Sequence, residues 1–151
     1  MLSRDFKEFI ESLNAHGVEY LVVGGYALAA HGHPRYTGDI DIWIGRELAN
    51  RNRLIAALAA FGFGNVGLSA DDFDSPDAVV QLGYPPGRID LLTGIDGVTF
   101  DACFARRQMV RIGALDLPII HLEDFKTNKR ASGRMKDLAD LEALGENDAP
   151  D

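Results

Sequence analysis

Cysteine is nearly absent. Cys103 stands alone in 151 residues, which excludes an internal disulfide and a cysteine-rich zinc site and leaves a small buried hydrophobe as its simplest role. Long apolar runs are missing too: no segment approaches the roughly 20 apolar residues that a membrane helix requires. The opening stretch Met1-Leu-Ser-Arg-Asp-Phe-Lys-Glu8 is too charged for a secretory signal, so a cytoplasmic protein with no membrane partner is expected. Positive charge is scarce, with 15 Lys and Arg against 23 Asp and Glu and a formal net charge of −8. That balance argues against diffuse binding along nucleic acid, where affinity comes from cations displacing counterions. A polyanion has to be met locally, and one segment is suited to it: Lys126, Lys129, Arg130, Arg134 and Lys136 follow one another with no acid between them. Such a run is compatible with a solvated helix face and with an anion-binding surface. Internal repeats and long linkers are also lacking, so residues 1–144 read as one domain and 145–151 as a frayed tail.

What is present alternates between helix and strand signals. Ser3 is placed to cap a helix in which Phe6, Phe9, Ile10 and Leu13 recur at helical spacing, ending near His16-Gly17. Tyr20–Val23 is an unbroken β-prone run, as expected of a strand covered on both faces. Gly24-Gly25 ends it and Tyr26–His31 has the residues of a short helix. A helix from Glu47 to Phe61 is expected to bury Leu48, Leu54, Ile55, Leu58 and Ala59. Ala78–Leu82 and Arg88–Leu92, joined across Gly83-Tyr-Pro-Pro-Gly87, predict a hairpin, and Met109–Ile112 with Leu115–Ile120 predict a second, in which Pro118 demotes its strand to a sheet edge. Helices over 122–131 and 135–144 follow, the latter with Leu138, Leu141 and Leu144 on one stripe. The class is α/β (α+β), a mixed β-sheet flanked by helices.

The chemistry concentrates in acids. Asp39-Ile-Asp-Ile-Trp-Ile44 alternates strictly, so a strand here puts three isoleucines on one face and Asp39, Asp41 and Trp43 on the other. Two carboxylates about 6.5–7 Å apart along the backbone point the same way. They repel, and a divalent cation offsets that repulsion. Oxygen ligands completed by water and phosphate suit Mg²⁺, or Mn²⁺. Asp90 is placed in Arg88-Ile-Asp-Leu91 with apolar neighbours on the opposite face. If its strand adjoins that of Asp39, it either ligates metal or takes the proton from an attacking hydroxyl. Gly24-Gly25, between a buried strand and a helix, allows backbone amides to approach an anion, although it matches neither the Walker nor the three-glycine dinucleotide pattern.

Val22-Val-Gly-Gly25 followed by Arg35-Tyr-Thr-Gly-Asp-Ile-Asp-Ile42 resembles the nucleotidyltransferase superfamily, particularly its small bacterial members, which include antitoxin-like and abortive-infection-related proteins. Asp90 corresponds to their third acid by order and strand context. The segment Glu123–Asp140 resembles their closing helical segment, whose basic residues face nucleotide or partner. The sequence departs in carrying Gly25 where many relatives have serine, which removes a hydroxyl contact to phosphate. The resemblance implies a nucleotidyltransferase-like fold and transfer of a nucleoside monophosphate from a nucleoside triphosphate to an acceptor, releasing pyrophosphate. By that match Asp39, Asp41 and Asp90 are catalytic and hold Mg²⁺ (or Mn²⁺), Gly24 and Gly25 contact phosphate, and Arg35, Thr37, Lys126 and Lys129 are candidates for the triphosphate.

Other motifs read as structural. His31-Gly-His33 has no second cluster at zinc spacing. Asp71-Asp-Phe-Asp74 begins like a calcium loop and then fails. Arg134, Asp137 and Asp140 lie at helical spacing and are placed to pair with one another or cap the helix; Trp43 is read as core filler more than as a base-stacking surface. Two competing readings remain beside the transferase: a binding module of the same fold acting on a partner, as an antitoxin component does, and a metal phosphohydrolase. At this length the acceptor, whether protein, RNA end or small hydroxylated molecule, is expected against a partner chain or a second copy.

Overall fold

A computed structural model of the chain describes residues 2–33, 38–63, 67–84 and 87–145. The elements run α1 (Arg4–Ala15), β1 (Tyr20–Val23), α2 (Gly24–Ala30), β2 (Asp39–Ile44), α3 (Leu48–Leu58), β3 (Val79–Leu82), β4 (Arg88–Leu92), α4 (Phe100–Ala105), β5 (Gln108–Ile112), β6 (Leu115–Ile119), α5 (Leu122–Ser132) and α6 (Met135–Ala143). No helix among the described residues is long and apolar enough to cross a membrane.

The six strands form one mixed sheet in the order β3-β4-β2-β1-β6-β5. Both expected hairpins form, β3 antiparallel to β4 and β5 to β6. Every residue of β1 is buried, as its unbroken apolar run requires of a central strand. β2 lies antiparallel to β1 and parallel to β4. The β2–β4 ladder matters most, because it aligns Asp39 with Arg88 and Asp41 with Asp90. The alternation of β2 sends Ile40, Ile42 and Ile44 into a core shared with Phe6, Phe9, Ile10 and Leu13 of α1 and with Leu54, Ala57 and Leu58 of α3.

Helix α1 starts where the Ser3 hydroxyl accepts the Phe6 backbone N–H at 3.2 Å. Its four predicted core residues are all buried. Cys103 is a free, buried thiol, pushed up to about 12 by burial and then by neighbouring Asp124. Leu141 is buried and Leu138 and Leu144 half-buried along the α6 stripe.

Four expectations are corrected. Pro118 does not make β6 an edge, for β6 lies between β1 and β5, and β5 is the edge. The ladder to β1 pairs Val22 with Ile119, and the Ile120 N–H donates to the Val22 carbonyl at 3.1 Å. The contact with β1 thus falls on residues beyond the proline, where its missing donor is not needed. In α3, Leu48 is 58% exposed and Ala59 is exposed, while Asn50 and Arg51 are buried. Asn50 is buried because its amide ties α3 to the ends of β1 and β2: it accepts the Glu19 N–H at 2.7 Å and donates to the Glu19 and Gly45 carbonyls. Helix α3 is also shorter than expected, giving way at Ala59–Phe63 to a wide turn in which Gly62 takes a φ of 106°. Helix α2 begins at Gly24, two residues earlier than predicted.

Helices α5 and α6 are locked by a buried ionic network. Asp137, whose side chain is fully buried, accepts Lys129 Nζ at 3.1 Å and Arg134 Nε at 2.8 Å, and Lys129 also pairs with Asp140 at 3.7 Å. The pairing expected of Arg134 and Asp137 is thus realised, with Lys129 as the central cation. Burial alone would raise the Asp137 carboxyl, but the hydrogen bonds from Arg134 and Lys129 prevail and hold it down at about 2. Its folded pKa lies below the unfolded value, so the stabilisation is complete above about pH 4 and is lost as pH falls towards 2. Asp137→Asn is expected to lower unfolding free energy at pH 7 by about 2–3 kcal/mol, because it leaves the buried Lys129 with the more distant Asp140 as its acid partner. The difference from wild type should shrink at pH 3, as measured by urea denaturation at both pH values.

Candidate functional site

The three predicted acids converge. Alternation on β2 turns Asp39 and Asp41 to the same face, the parallel ladder sets Asp90 beside Asp41, and one oxygen from each carboxylate lies within 4.8 Å of the others. Among the described residues this is the only such group of three or more potential metal ligands. Asp41 is pushed up to about 7, first by burial and then by repulsion from Asp39 and Asp90, with a carboxyl–carboxyl hydrogen bond to Asp90 adding to the shift and Lys136 opposing it. Asp90 is raised by burial and pulled back by its hydrogen bond from Arg88. An oxygen-only donor set carrying mutual repulsion fits a hard divalent cation such as Mg²⁺ or Mn²⁺, which relieves that repulsion.

Arg88 was not singled out by the sequence. It precedes Asp90 by two residues, so it shares the acid face of β4, and its guanidinium spans two strands. Nε donates to Asp90 Oδ1 at 2.8 Å, and Nη2 donates to Asp39 Oδ2 at 2.7 Å and to Asp90 Oδ2 at 3.1 Å. The signal available was that two-residue spacing, the same one that singled out Asp39 and Asp41.

Gly24 lies against Asp41. Its φ is +68°, and an added Cβ would collide with Asp41 Oδ2. Glycine is therefore required at position 24 by close approach of an acid as well as by the turn. Gly25, the next residue, is buried in the first turn of α2.

Beside these residues is a cleft of about 350 Å³, bounded by Gly24 and Asp41 on one side and by Asn128, Lys129, Ser132 and Arg134 on the other. Asn128 donates to the Asp96 carbonyl at 3.0 Å and so fastens the loop after β4 to α5. Of the predicted basic contacts, Lys129 lines the cleft but is only 5% exposed, with its charge matched by Asp137 and Asp140. Lys126 pairs with Glu123 one turn back on α5. Arg35 and Thr37 lie outside the described residues. Arg134, two-thirds exposed, lines the cleft, and Lys136 is exposed and acts on Asp41. The basic run thus reaches the acids through its last two members.

A larger cavity of about 750 Å³ adjoins the cleft at Gly94 and Ile95 and is lined by Trp43, Arg46, Thr99 and Phe100 among others. Trp43 is buried and meets Phe100 edge to face, with ring centroids 5.3 Å apart, as its core reading predicts. His31 serves locally, its Nε2 lying 2.8 Å from the Ile120 carbonyl. The acidic stretch at 71–74 forms a short turn over Ala70–Phe73 capped by Ser69, with Phe73 buried.

A family model described as nucleotidyl transferase of unknown function (DUF2204) matches residues 2–148. Among solved structures, a Thermotoga maritima protein assigned as a nucleotidyltransferase is similar, with a TM-score of 0.60 at 17% identity over 94% of this chain and 89% of that one. An antigenic nucleotidyltransferase-like protein from Paracoccidioides brasiliensis has a TM-score of 0.54 at 19% identity, over 95% of this chain and 75% of its own. Among curated proteins none matches.

Two outcomes follow from the geometry. The folded pKa of Asp41, about 7, lies above the ordinary aspartate value of 3.8, so without a cation its contribution to stability falls as pH rises from about 4 to 7. Asp41→Asn in chelator is expected to be more stable than wild type at pH 8 by about 1 kcal/mol or more, with the gap closing by pH 4; urea titrations at the two pH values decide it, and a less stable variant at pH 8 contradicts the assignment. Gly24→Ala, by contrast, should cost about 1–3 kcal/mol at either pH, because it combines a left-handed backbone with a clash on Asp41.

Proposed function

The chain belongs to this family of nucleotidyl transferases, and on that premise we propose that it moves a nucleoside monophosphate from a nucleoside triphosphate to an acceptor hydroxyl, releasing pyrophosphate. The observation that carries the reading is the convergence of Asp39, Asp41 and Asp90 beside Gly24, with Asp41 and Gly24 opening onto a cleft that Lys129 and Arg134 also line. A divalent ion held by the three acids supplies charge neutralisation of the triphosphate and of the departing pyrophosphate.

The chain's own residues divide the remaining work. Asp39, Asp41 and Asp90 hold the ion. Asp90, the most buried of the three on the neighbouring strand, is also the candidate to accept the acceptor's proton as its oxygen attacks the α-phosphorus. The bond from α-phosphorus to the bridging oxygen breaks, and the electron pair leaves with pyrophosphate. Gly24 and Gly25 keep the entrance of α2 free of side chains, so that phosphate oxygens approach the backbone. Arg134 and Lys136, with Arg35, Lys126 and Lys129 as further candidates, present positive charge to the phosphates, and Thr37 is a candidate to donate a hydroxyl hydrogen bond.

The test is release of pyrophosphate from each of the four common nucleoside triphosphates with Mg²⁺ or Mn²⁺, alongside transfer of an α-phosphate label to the protein itself, to RNA ends and to small polyols. Wild type is expected to exceed Asp41→Ala by about 100-fold or more. Equal rates in the two proteins refute transfer and favour a binding module of the antitoxin kind; release of inorganic phosphate from simple esters instead identifies a phosphohydrolase.

A further inference from the structure

We propose that Arg88 is a resident counter-ion of the acidic triad, holding Asp39 and Asp90 until a divalent cation takes those carboxylates from it. The inference rests on the acids being an ion site, as argued above, and concerns a residue to which neither the family description nor the sequence assigns a role.

The geometry sets up a competition. Arg88 uses Asp39 Oδ2 and both oxygens of Asp90 through two nitrogens, at 2.7, 2.8 and 3.1 Å. These are two of the three carboxylates that would grip the ion. A guanidinium is a planar fork fitted to such oxygens and stays charged at any pH the protein experiences. A cation arriving at the same oxygens meets a like charge at close range, so one of the two has to yield.

Arg88 is placed to be the one that yields. All three residues are held by the β2–β4 ladder, but the Arg88 guanidinium, 28% exposed, sits at the end of a long flexible stem, whereas the Asp39 and Asp90 carboxylates stand one methylene from the backbone. A doubly charged ion shared by three carboxylates outweighs a singly charged guanidinium shared by two. Asp41 receives no hydrogen bond from Arg88 among those that bind the other two acids. The guanidinium thus does not engage Asp41, whose carboxyl–carboxyl contact with Asp90 gives way to the incoming ion as its first ligand before Arg88 is displaced from the rest.

Calorimetric titration of the full chain with MnCl₂ tests this. Arg88→Gln, which keeps the stem and removes the charge, is expected to bind Mn²⁺ about tenfold more tightly than wild type. Its melting temperature should lie below that of wild type in chelator, where three acids face one another uncompensated, and the two should converge with excess Mn²⁺. Equal or weaker Mn²⁺ binding by the variant overturns the inference, since Arg88 then belongs to the scaffold that shapes the site. If neither wild type nor Arg88→Gln takes up Mn²⁺ while Arg88→Gln folds, the ion site itself is wrong and the inference falls with it. Should Arg88→Gln not fold, Arg88→Lys gives the same decision: a single ammonium cannot span both carboxylates as a fork does, so its Mn²⁺ affinity is expected above that of wild type, and no gain overturns the proposal.

Discussion

Three carboxylates held within 4.8 Å of one another form an arrangement that opposes folding. What keeps them there is backbone: the parallel ladder between β2 and β4 fixes the pairing of Asp41 with Asp90, and the pleat of β2 fixes Asp39 beside Asp41. The surroundings are arranged about that concentration of negative charge. Arg88 spans two of the acids, Gly24 gives up its side chain so that the third has room, and α5 and α6 bring lysine and arginine to the far side of the cleft.

The same residue type behaves in opposite ways a short distance away. Asp137 is more deeply enclosed than Asp41, yet it is an acid of unusual strength because Lys129 and Arg134 donate to both its oxygens. Asp41 is a weak acid because burial, and then repulsion from Asp39 and Asp90, disfavour its charged form. One cluster has its cations built in and joins two helices. The other is left partly uncompensated, which is unfavourable for stability and makes sense when a charged ligand is to be gathered. Lys129 touches both settings, lining the cleft while its ammonium is directed to Asp137 and Asp140.

Much of this was legible in the sequence, because the informative features were local. Period-two alternation over Asp39–Ile44 announced the acid face, the unbroken run Tyr20–Val23 announced a central strand, and the spacing of Phe6, Phe9, Ile10 and Leu13 announced the buried side of α1. The proximity of Asp90 depended on which strands pair, information that resides in no single segment. Pro118 misled because its effect depends on where the neighbouring strand makes contact, and β1 meets β6 just beyond it. Leu48 misled because apolar character was taken as burial, whereas Asn50 and Arg51 are drawn inward by backbone groups left without partners at strand and turn ends. Lys126 and Lys129 were favoured over Arg134 and Lys136 on sequence pattern, but the turn at Gly133, with a φ of 63°, redirects the chain and carries the later pair towards Asp41.

The crossover from β2 to β4 carries α3, the short turn at Ala70–Phe73 and β3 before the chain returns to lie alongside its starting strand. The alignment of Asp41 with Asp90 is written into main-chain pairing between the two strands, and the excursion supports it from the other side of β4, where β3 sets Gln81 against Asp90. Only the stretch between β2 and β3 is left the task of bringing the chain back, while strands on both sides of β4 hold Asp90 at its height in the sheet.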